Sequence, residues 1–316
     1  MKDYFKFNLK AEKLLIVWLA FMVLFVVPYV FLIVRIKDFI VPQHPLSIFG
    51  FYGILIVLVI IAYAVIFYMF KVTIEGVEYK GNGLIFDGTF GSFMGKFIGG
   101  LLLTIITLGI YSPWFITKIE KFFVDHTSHD SNKLEFAGAA GKLFKIMFFA
   151  TFLPMMALII VMVTLQFKNG LTNPNPMGKY INLFTLPIMI PYIYYLYKWM
   201  VNVKFREYTV RWETTFWNSI GKILLEIFLT IITVGIYYPL AGLRLYKYFM
   251  DRTVAESESG KKGFGYELEA RKDFLFLWGQ TLLTIITVGI YYPWACCKVT
   301  SRILSKTYTE QIVEVA

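Results

Sequence analysis

Few side chains in this sequence have the type and spacing that a reactive or binding site requires. The first candidate is a carboxylate inside an apolar run. Glu226 lies four residues before Thr230, within the apolar stretch 223–243. An ionisable residue at membrane depth indicates a substrate or proton site. Lys222 lies one helical turn earlier and can pair with it. We favour this interfacial ion pair, with a ligand contact at Glu226 as the alternative.

Two histidines flanked by aspartates, His126 and His129, form a second candidate. Imidazole and carboxylate groups bind transition metals, but the cluster lacks a recognised ligand spacing. Two later segments of similar sequence carry Arg252 and Lys306 in place of His126. A position that holds histidine, arginine or lysine in different copies indicates a positive charge at the membrane interface rather than a metal ligand. We therefore expect no metal site.

The third candidate set is basic: Lys118, Arg244 and Lys298 follow the same apolar motif in three segments. Such residues attract anionic headgroups without specificity or bind a particular lipid phosphate, and both alternatives stay open. We expect membrane lipids with anionic headgroups as partners. Because no hydrolase triad, phosphate-binding loop or haem motif occurs, we predict no enzyme activity, catalytic residue or cofactor.

The composition indicates that lipid surrounds much of the chain. Of 316 residues, 58% are hydrophobic and 16% are charged, and the mean hydropathy is +0.63. A soluble domain carries about 25% charged residues. The net charge of +10 raises the question of nucleic acid, but no recognition motif is present and the basic residues flank apolar stretches. We therefore expect no nucleic-acid partner.

Three segments repeat one motif. Residues 102–114 read LLTIITLGIYSPW, 228–240 read FLTIITVGIYYPL and 282–294 read LLTIITVGIYYPW. Glycine commonly ends a helix at C′ and proline begins one, so each copy predicts a helix, a break and a second helix. The alternative is one kinked membrane helix. The repeated positions are a threonine, a glycine, a tyrosine and a proline: Thr104, Gly109, Tyr111, Pro113; Thr230, Gly235, Tyr237, Pro239; Thr284, Gly289, Tyr291, Pro293.

These motifs, the segment FDGTFGSFMGKF at 86–97 and the basic aromatic run after each copy resemble one family, the YjgN-like bacterial inner-membrane proteins of unknown function. The resemblance covers the chain from about residue 72 onward. It implies a membrane location in Gram-negative bacteria and no catalytic residue to transfer. Ser112 and Leu240 depart from the shared pattern.

Charge distribution favours one membrane topology. The apolar stretches long enough to cross a bilayer are 14–34, 48–70, 97–117, 144–166, 180–200, 223–243 and 274–297. If all seven cross, Lys and Arg show no bias between the two sides. If the three motif stretches are re-entrant hairpins, all 31 Lys and Arg except Arg35, Lys37, Lys168 and Lys179 lie on one side. Because positive loops stay cytoplasmic, this arrangement is favoured, with both termini cytoplasmic.

We therefore predict an all-α polytopic membrane protein with four spans, three re-entrant hairpins and short cytoplasmic β-strands between repeats; seven spans are the alternative. The predicted segments are a two-span part at 1–70, the first repeat with a strand hairpin at 71–142, a central two-span part at 143–203, and repeats at 204–262 and 263–316. The sequence gives no oligomeric state. Two functions stay open: transport of a small or lipid-like solute, because broken helices flank transporter sites, and a non-transporting scaffold or lipid-interacting envelope protein.

Overall fold

The structure is a computed structural model, and it describes residues 1–35, 45–169 and 181–312. Lys37 and Lys179, two of the predicted outer charges, lie outside these residues. The helices are α1 Ala11–Val34, α2 Pro45–Glu75, α3 Phe90–Ile106, α4 Ser112–Asp125, α5 Ala140–Lys168, α6 Ile181–Met200, α7 Phe216–Ile232, α8 Tyr238–Met250, α9 Ala270–Ile286 and α10 Tyr292–Leu304. The strands are β1 Lys2–Phe7, β2 Val77–Tyr79, β3 Asn82–Gly83, β4 Ile85–Phe86, β5 Thr127–His129, β6 Asn132–Phe136, β7 Val203–Phe205, β8 Tyr208–Trp212, β9 Thr253–Ser257, β10 Gly260–Tyr266 and β11 Thr307–Ile312.

All these strands form one antiparallel sheet that nearly closes into a barrel. Their order is β3-β2-β1-β11-β10-β9-β8-β7-β6-β5-β4. The two ends of this order, β3 and β4, are separated in the chain by Leu84 alone, so residues 82–86 join both edges. The first and last strands pair directly, with Lys2 opposite Glu310 and Tyr4 opposite Tyr308. Closure leaves few unpaired backbone groups at a sheet edge.

The chain builds this barrel from five units, each a strand, a pair of helices and a returning strand. The helix pairs are α1 with α2, α3 with α4, α5 with α6, α7 with α8, and α9 with α10. We call α3–α4, α7–α8 and α9–α10 the first, second and third repeat hairpins. Because every helix pair leaves from and returns to the same end of the barrel, the helices lie on one side of it.

A buried aromatic residue ends the outgoing strand of every unit, and a helix begins four residues later. These residues are 1–8% exposed: Phe7, Phe86, Phe136, Trp212 and Tyr266. In two units the chain turns back over the ring through glycine. A Cβ on Gly88 would lie 2.4 Å from the Phe86 ring, and one on Gly138 would lie 2.4 Å from the Phe136 ring. These aromatics fill the end of the barrel that faces the helices.

The all-α prediction is wrong, because the strands foreseen as a small layer between repeats form the continuous sheet that organises the chain. The four-span prediction is also corrected. Among the described residues, three helices are long and apolar enough to cross a membrane: Ala11–Val34, Phe49–Glu75 and Ala140–Lys168. Helix α6, predicted as a span at 180–200, is not one of them. Its second half carries several tyrosines and Lys198, which lower its hydropathy.

Candidate functional site

Each repeat motif forms a hydrogen-bonded helix break. In the third repeat hairpin Val288 (φ +50°) and Gly289 (φ +85°) are both left-handed. The Gly289 N–H donates to the Thr284 carbonyl at 2.8 Å, and the Val288 N–H donates to Ile285 at 3.0 Å. This pair of bonds is the Schellman motif. The glycine was predicted at C′ but lies one residue later at C″, and a valine takes the C′ position.

A threonine hydroxyl then starts the second helix. Thr287 Oγ1 accepts the Tyr291 N–H at 3.0 Å while donating to the Leu283 carbonyl at 2.8 Å. Thr107 and Thr233 do the same for Tyr111 and Tyr237. The proline, Pro293 in this copy, lies in the first turn of the new helix. The motif therefore satisfies its own freed backbone groups.

The left-handed residue at each break is a branched apolar side chain that touches little else. Leu108 is 94% exposed, Val234 is 90% exposed and Val288 is 85% exposed. A left-handed conformation is unusual for a branched residue. Two tryptophans bond to carbonyls of the breaks: Trp18 Nε1 donates to Gly289 at 2.9 Å and Trp278 Nε1 donates to Ile236 at 2.9 Å.

Below the break, a tyrosine joins the two helices of the hairpin, and we call this contact the tyrosine clasp. In the second repeat hairpin Glu226 is 0% exposed. Its Oε1 accepts from Lys222, which is the predicted ion pair. Its Oε2 accepts from the Tyr237 hydroxyl at 2.8 Å, and that hydroxyl accepts from Arg244 at 2.6 Å. All four side chains are therefore engaged with one another.

The other two repeat hairpins carry altered versions of the tyrosine clasp. In the third, Tyr291 donates to Gln280 Oε1 at 3.0 Å and accepts from Lys298 at 2.9 Å. In the first, Gly100 replaces the carboxylate, and Phe115 packs directly over it. Lys118 there lies 5.4 Å from the centre of the Tyr111 ring. The predicted residues Lys118, Arg244 and Lys298 thus occupy equivalent places, and only Arg244 belongs to a clasp with a carboxylate.

Nearer the barrel, a second set of equivalent residues joins the helices of each repeat hairpin, and we call it the barrel-side layer. Its members are Phe93, Phe122 and His126 in the first hairpin, Ser219, Tyr248 and Arg252 in the second, and Asp273, Arg302 and Lys306 in the third. The first is aromatic, with Phe93 and Phe122 centroids 5.5 Å apart. The second is a neutral hydrogen bond of 3.1 Å. The third is ionic, with Arg302 and Lys306 each 2.7 Å from Asp273 Oδ1.

One side of the first repeat hairpin opens into a groove of about 420 Å³, which we call the lysine groove. Its floor contains Gly95, Gly99 and Gly100, and its rim contains Lys96, Lys118, Lys121, Asp125 and His126, with Leu103 and Phe122 completing it. A Cβ added at Gly95 or Gly99 would meet nothing within 4 Å. The second repeat hairpin has Leu225 and Glu226 in place of the last two glycines.

The two histidines of the predicted metal cluster have separate partners. His126 Nδ1 bonds the Phe122 carbonyl at 2.8 Å, and His129 Nε2 bonds the Tyr79 carbonyl at 2.9 Å. The first ring belongs to the barrel-side layer and the second lies against the barrel interior. The structure thus places them in two different environments.

Sequence reasoning missed Glu120. It lies on α4 between Ile116 and Val124, whose side chains pack against the Leu143 and Trp199 cluster. Within the described residues it has no hydrogen bond or ion pair, and burial raises the pKa of its carboxyl. The four-residue spacing of Ile116, Glu120 and Val124 on one helical face was the available signal.

A barrel carrying helix pairs on one face, with three single helices of the described part of the chain long and apolar enough to cross a membrane, defines a membrane-associated protein with mixed α and β structure. Residues 81–278 match the sequence profile of a family described as bacterial protein of unknown function (DUF898), and the chain belongs to this family. YjgN is a member of the same family, so the resemblance found from the motifs is confirmed. Neither a curated protein nor a solved structure matches the chain.

Proposed function

We propose that this protein is a multi-pass, lipid-interacting protein of the bacterial inner membrane. The three long apolar helices α1, α2 and α5 lie in the bilayer, α6 brings the chain back from the far end of α5 to the barrel, and the three repeat hairpins insert their tips into the cytoplasmic leaflet. The barrel lies in the cytoplasm against the membrane surface. The observation that carries this proposal is the exposure of Leu108, Val234 and Val288 at the hairpin tips.

Lipid explains why these tips are apolar. Each side chain of this size gains roughly 1.5–3 kcal/mol when it leaves water. The flanking isoleucines are also exposed, for example Ile286 at 75% and Ile290 at 62%. A tip in lipid must satisfy its own backbone groups, because hydrocarbon offers no hydrogen bonds. The Schellman bonds and the Trp18 and Trp278 indoles meet this requirement.

The position of the termini supports the orientation. Because β1 pairs with β11, the first and last described strands lie side by side in the barrel and therefore on one side of the membrane. Most Lys and Arg residues lie in the barrel and at the bases of the helices, on that same side. Positive segments remain cytoplasmic, so the barrel and both termini are cytoplasmic.

Site-directed spin labels test the tip insertion in the full-length protein reconstituted into lipid nanodiscs. With Cys296 and Cys297 replaced by serine, single cysteines are introduced as Leu108→Cys and Val288→Cys. The matched control is Glu258→Cys, in the exposed turn between β9 and β10. We expect the tip labels to be relaxed by oxygen, which partitions into lipid, and the control label to be relaxed by a water-soluble nickel chelate. Tip labels that respond to the nickel chelate as strongly as the control would contradict the proposal.

One observation favours transport of a lipid-like solute as a second candidate function. A groove of about 700 Å³ separates the second and third repeat hairpins, lined by apolar side chains together with Tyr246, Gln280 and Thr284. Such a groove suits an acyl chain with a polar end. Vesicles that contain a fluorescent phospholipid and the protein test this. If the protein moves lipid between leaflets, dithionite bleaches the inner-leaflet probe, and Thr284→Trp slows the bleaching by filling the groove; no bleaching beyond the outer leaflet excludes lipid transport.

A further inference from the structure

We propose that the lysine groove of the first repeat hairpin binds the phosphate of an anionic lipid headgroup. This inference rests on the proposed insertion of the repeat hairpins into the membrane. The first and second repeat hairpins both place two cations at equivalent positions, but around different central residues.

The second repeat hairpin gives the template for the site. There, Lys222 on the first helix and Arg244 on the second flank Tyr237, and the Glu226 carboxylate accepts from the lysine and the tyrosine. The anion is thus supplied by the chain itself. Its burial at 0% exposure shows that this arrangement holds an anion away from water.

The first repeat hairpin keeps the donors and lacks the anion. Lys96, Tyr111 and Lys118 occupy the positions of Lys222, Tyr237 and Arg244, while Gly100 replaces Glu226. No described carboxylate forms a salt bridge with Lys96 or Lys118. Lys96 instead lies 4.6 Å from the centre of the Phe122 ring, and Lys118 lies against the Tyr111 ring. Two ammonium groups without a counter-ion therefore border one groove.

The remaining charges around the lysine groove do not supply the missing anion. Asp125 accepts the Phe136 N–H at 2.8 Å and lies 3.8 Å from Lys121. His126 adds a further polar group through its contact with Phe122. The groove therefore keeps an excess of positive charge beside Gly95 and Gly99, which no side chain covers, a setting for a compact oxyanion.

The position of the groove along the hairpin indicates that a lipid supplies this anion. The groove extends from Leu103, close to the break that begins at Ile106, down to His126, which directly precedes β5. It thus lies between the apolar tip and the barrel, where headgroup phosphates of a cytoplasmic leaflet lie. Lysine binds phosphate as a point charge and so accepts a headgroup in several orientations.

The test measures lipid binding to the full-length protein in detergent by its thermal stabilisation. The probes are phosphatidylglycerol, the neutral phosphatidylcholine as reference, and inorganic phosphate. The site variant is Lys96→Gln with Lys118→Gln. Its matched control is Lys142→Gln with Lys145→Gln, two exposed lysines at the base of α5. A third variant, Gly100→Glu with Phe115→Ala, rebuilds the internal carboxylate of the second repeat hairpin, where Ala241 leaves room for it.

We expect phosphatidylglycerol to bind the wild type saturably. It should bind the site variant at least about tenfold more weakly, since two charge-assisted contacts are lost. The Gly100→Glu variant should fold, melt at or above the wild-type temperature and lose the same binding, because its own carboxylate occupies the lysines. The control should bind as the wild type does.

Three results would overturn the inference. Equal weakening by the site and control variants would indicate unspecific attraction. Saturable stabilisation by inorganic phosphate alone would assign the groove to a soluble anion. Unchanged binding in Gly100→Glu would place the lipid elsewhere. None of these affects the spin-label test of tip insertion, so failure of this site and failure of the proposed function are distinguishable.

Discussion

Replacing Asp273 by asparagine tests how a repeat hairpin is held together at its base. Asp273 is 1% exposed. Its Oδ1 accepts from Arg302 Nε and from Lys306 Nζ, each at 2.7 Å. Its Oδ2 accepts the Glu269 N–H at 2.9 Å and so caps the start of α9. Asparagine removes the charge that Arg302 and Lys306 share, and it leaves Lys306 with Glu269, 3.7 Å away, as its remaining carboxylate.

The expected cost follows from the burial of the partners. Removing one member of a buried ion pair costs about 3–5 kcal/mol. The Arg302 and Lys306 side chains keep 30% and 18% exposure, so water screens them in part and the cost falls near the lower limit. For a chain of 316 residues, a loss near 3 kcal/mol lowers the melting temperature by about 4–5 °C.

The protein contains a suitable reporter for this measurement. Its two cysteines, Cys296 and Cys297, lie in α10 together with Arg302. Burial raises the pKa of the Cys297 thiol to about 11, so very little reactive thiolate exists at neutral pH while the hairpin is folded. Fluorescence of a thiol-reactive dye during heating therefore reports the unfolding of this hairpin.

The pH dependence has a defined sign. Burial alone would raise the pKa of Asp273, but the hydrogen bonds from Lys306 and Arg302 outweigh it and hold the pKa below its ordinary value. A lowered carboxyl pKa stabilises the fold above the unfolded value of about 3.9, and this stability is lost as pH falls through the folded pKa. The difference between wild type and Asp273→Asn should be constant at neutral pH and shrink below about pH 4.

The barrel-side layer of the first repeat hairpin is the template for a variant that should restore stability. Asp273→Phe combined with Arg302→Phe and Lys306→His reproduces its barrel-side layer, and a well-packed apolar layer can replace an ion pair without loss of stability. We expect this triple variant to melt above Asp273→Asn. A melting temperature of Asp273→Asn within a degree of the wild type would refute the energetic argument. A triple variant less stable than the single one would refute the equivalence of the layers.

Three further predictions are measured by thermal melting of the whole protein. Gly235→Ala should cost about 1–2 kcal/mol, because Gly235 has φ +84° and open space around it; unchanged stability would contradict the left-handed break. Glu120→Gln should raise the melting temperature at neutral pH, since burial raises the pKa of that carboxyl and ionising it costs stability as pH rises through the unfolded value; the gain should vanish in acid, and a gain at all pH values would point to packing. Trp18→Phe should cost about 1 kcal/mol through its bond to Gly289; no cost in nanodiscs would mean that another donor satisfies that carbonyl.

The helix breaks were predictable from the sequence because their causes are local. A Gly-to-Pro spacing of four residues fixes where one helix ends and the next begins, and it does so in three copies. The error of one residue in placing the glycine also has a local cause. In the Schellman motif of this chain Val288 adopts the left-handed C′ conformation, which the statistics for branched residues disfavour.

The barrel was not predictable because some of its strands pair with strands that are distant in the sequence. Strands such as β3 and β4 contain two residues each, too few for an alternating pattern. Strands β1 and β11 pair although they are far apart in the sequence, and the sequence of neither strand identifies its partner. One signal was nevertheless present. Phe86 and Phe136 each precede a glycine by two residues and a helix by four, so the strand entry of a repeat also occurs before α5, where the Gly–Pro motif is absent.

The five-unit arrangement explains how the three repeat hairpins could diverge in charge while keeping one backbone form. The barrel fixes the base of each hairpin, and the Schellman break fixes its tip. The side chains between base and tip therefore need only hold the two helices together. The barrel-side layer does this by aromatic packing, by a neutral hydrogen bond or by ions. The clasp position has diverged similarly, to Glu226, Gln280 and Gly100. Among the described residues, only the glycine leaves two flanking lysines without an internal partner, and this difference is the basis of the anion site proposed for the first repeat hairpin.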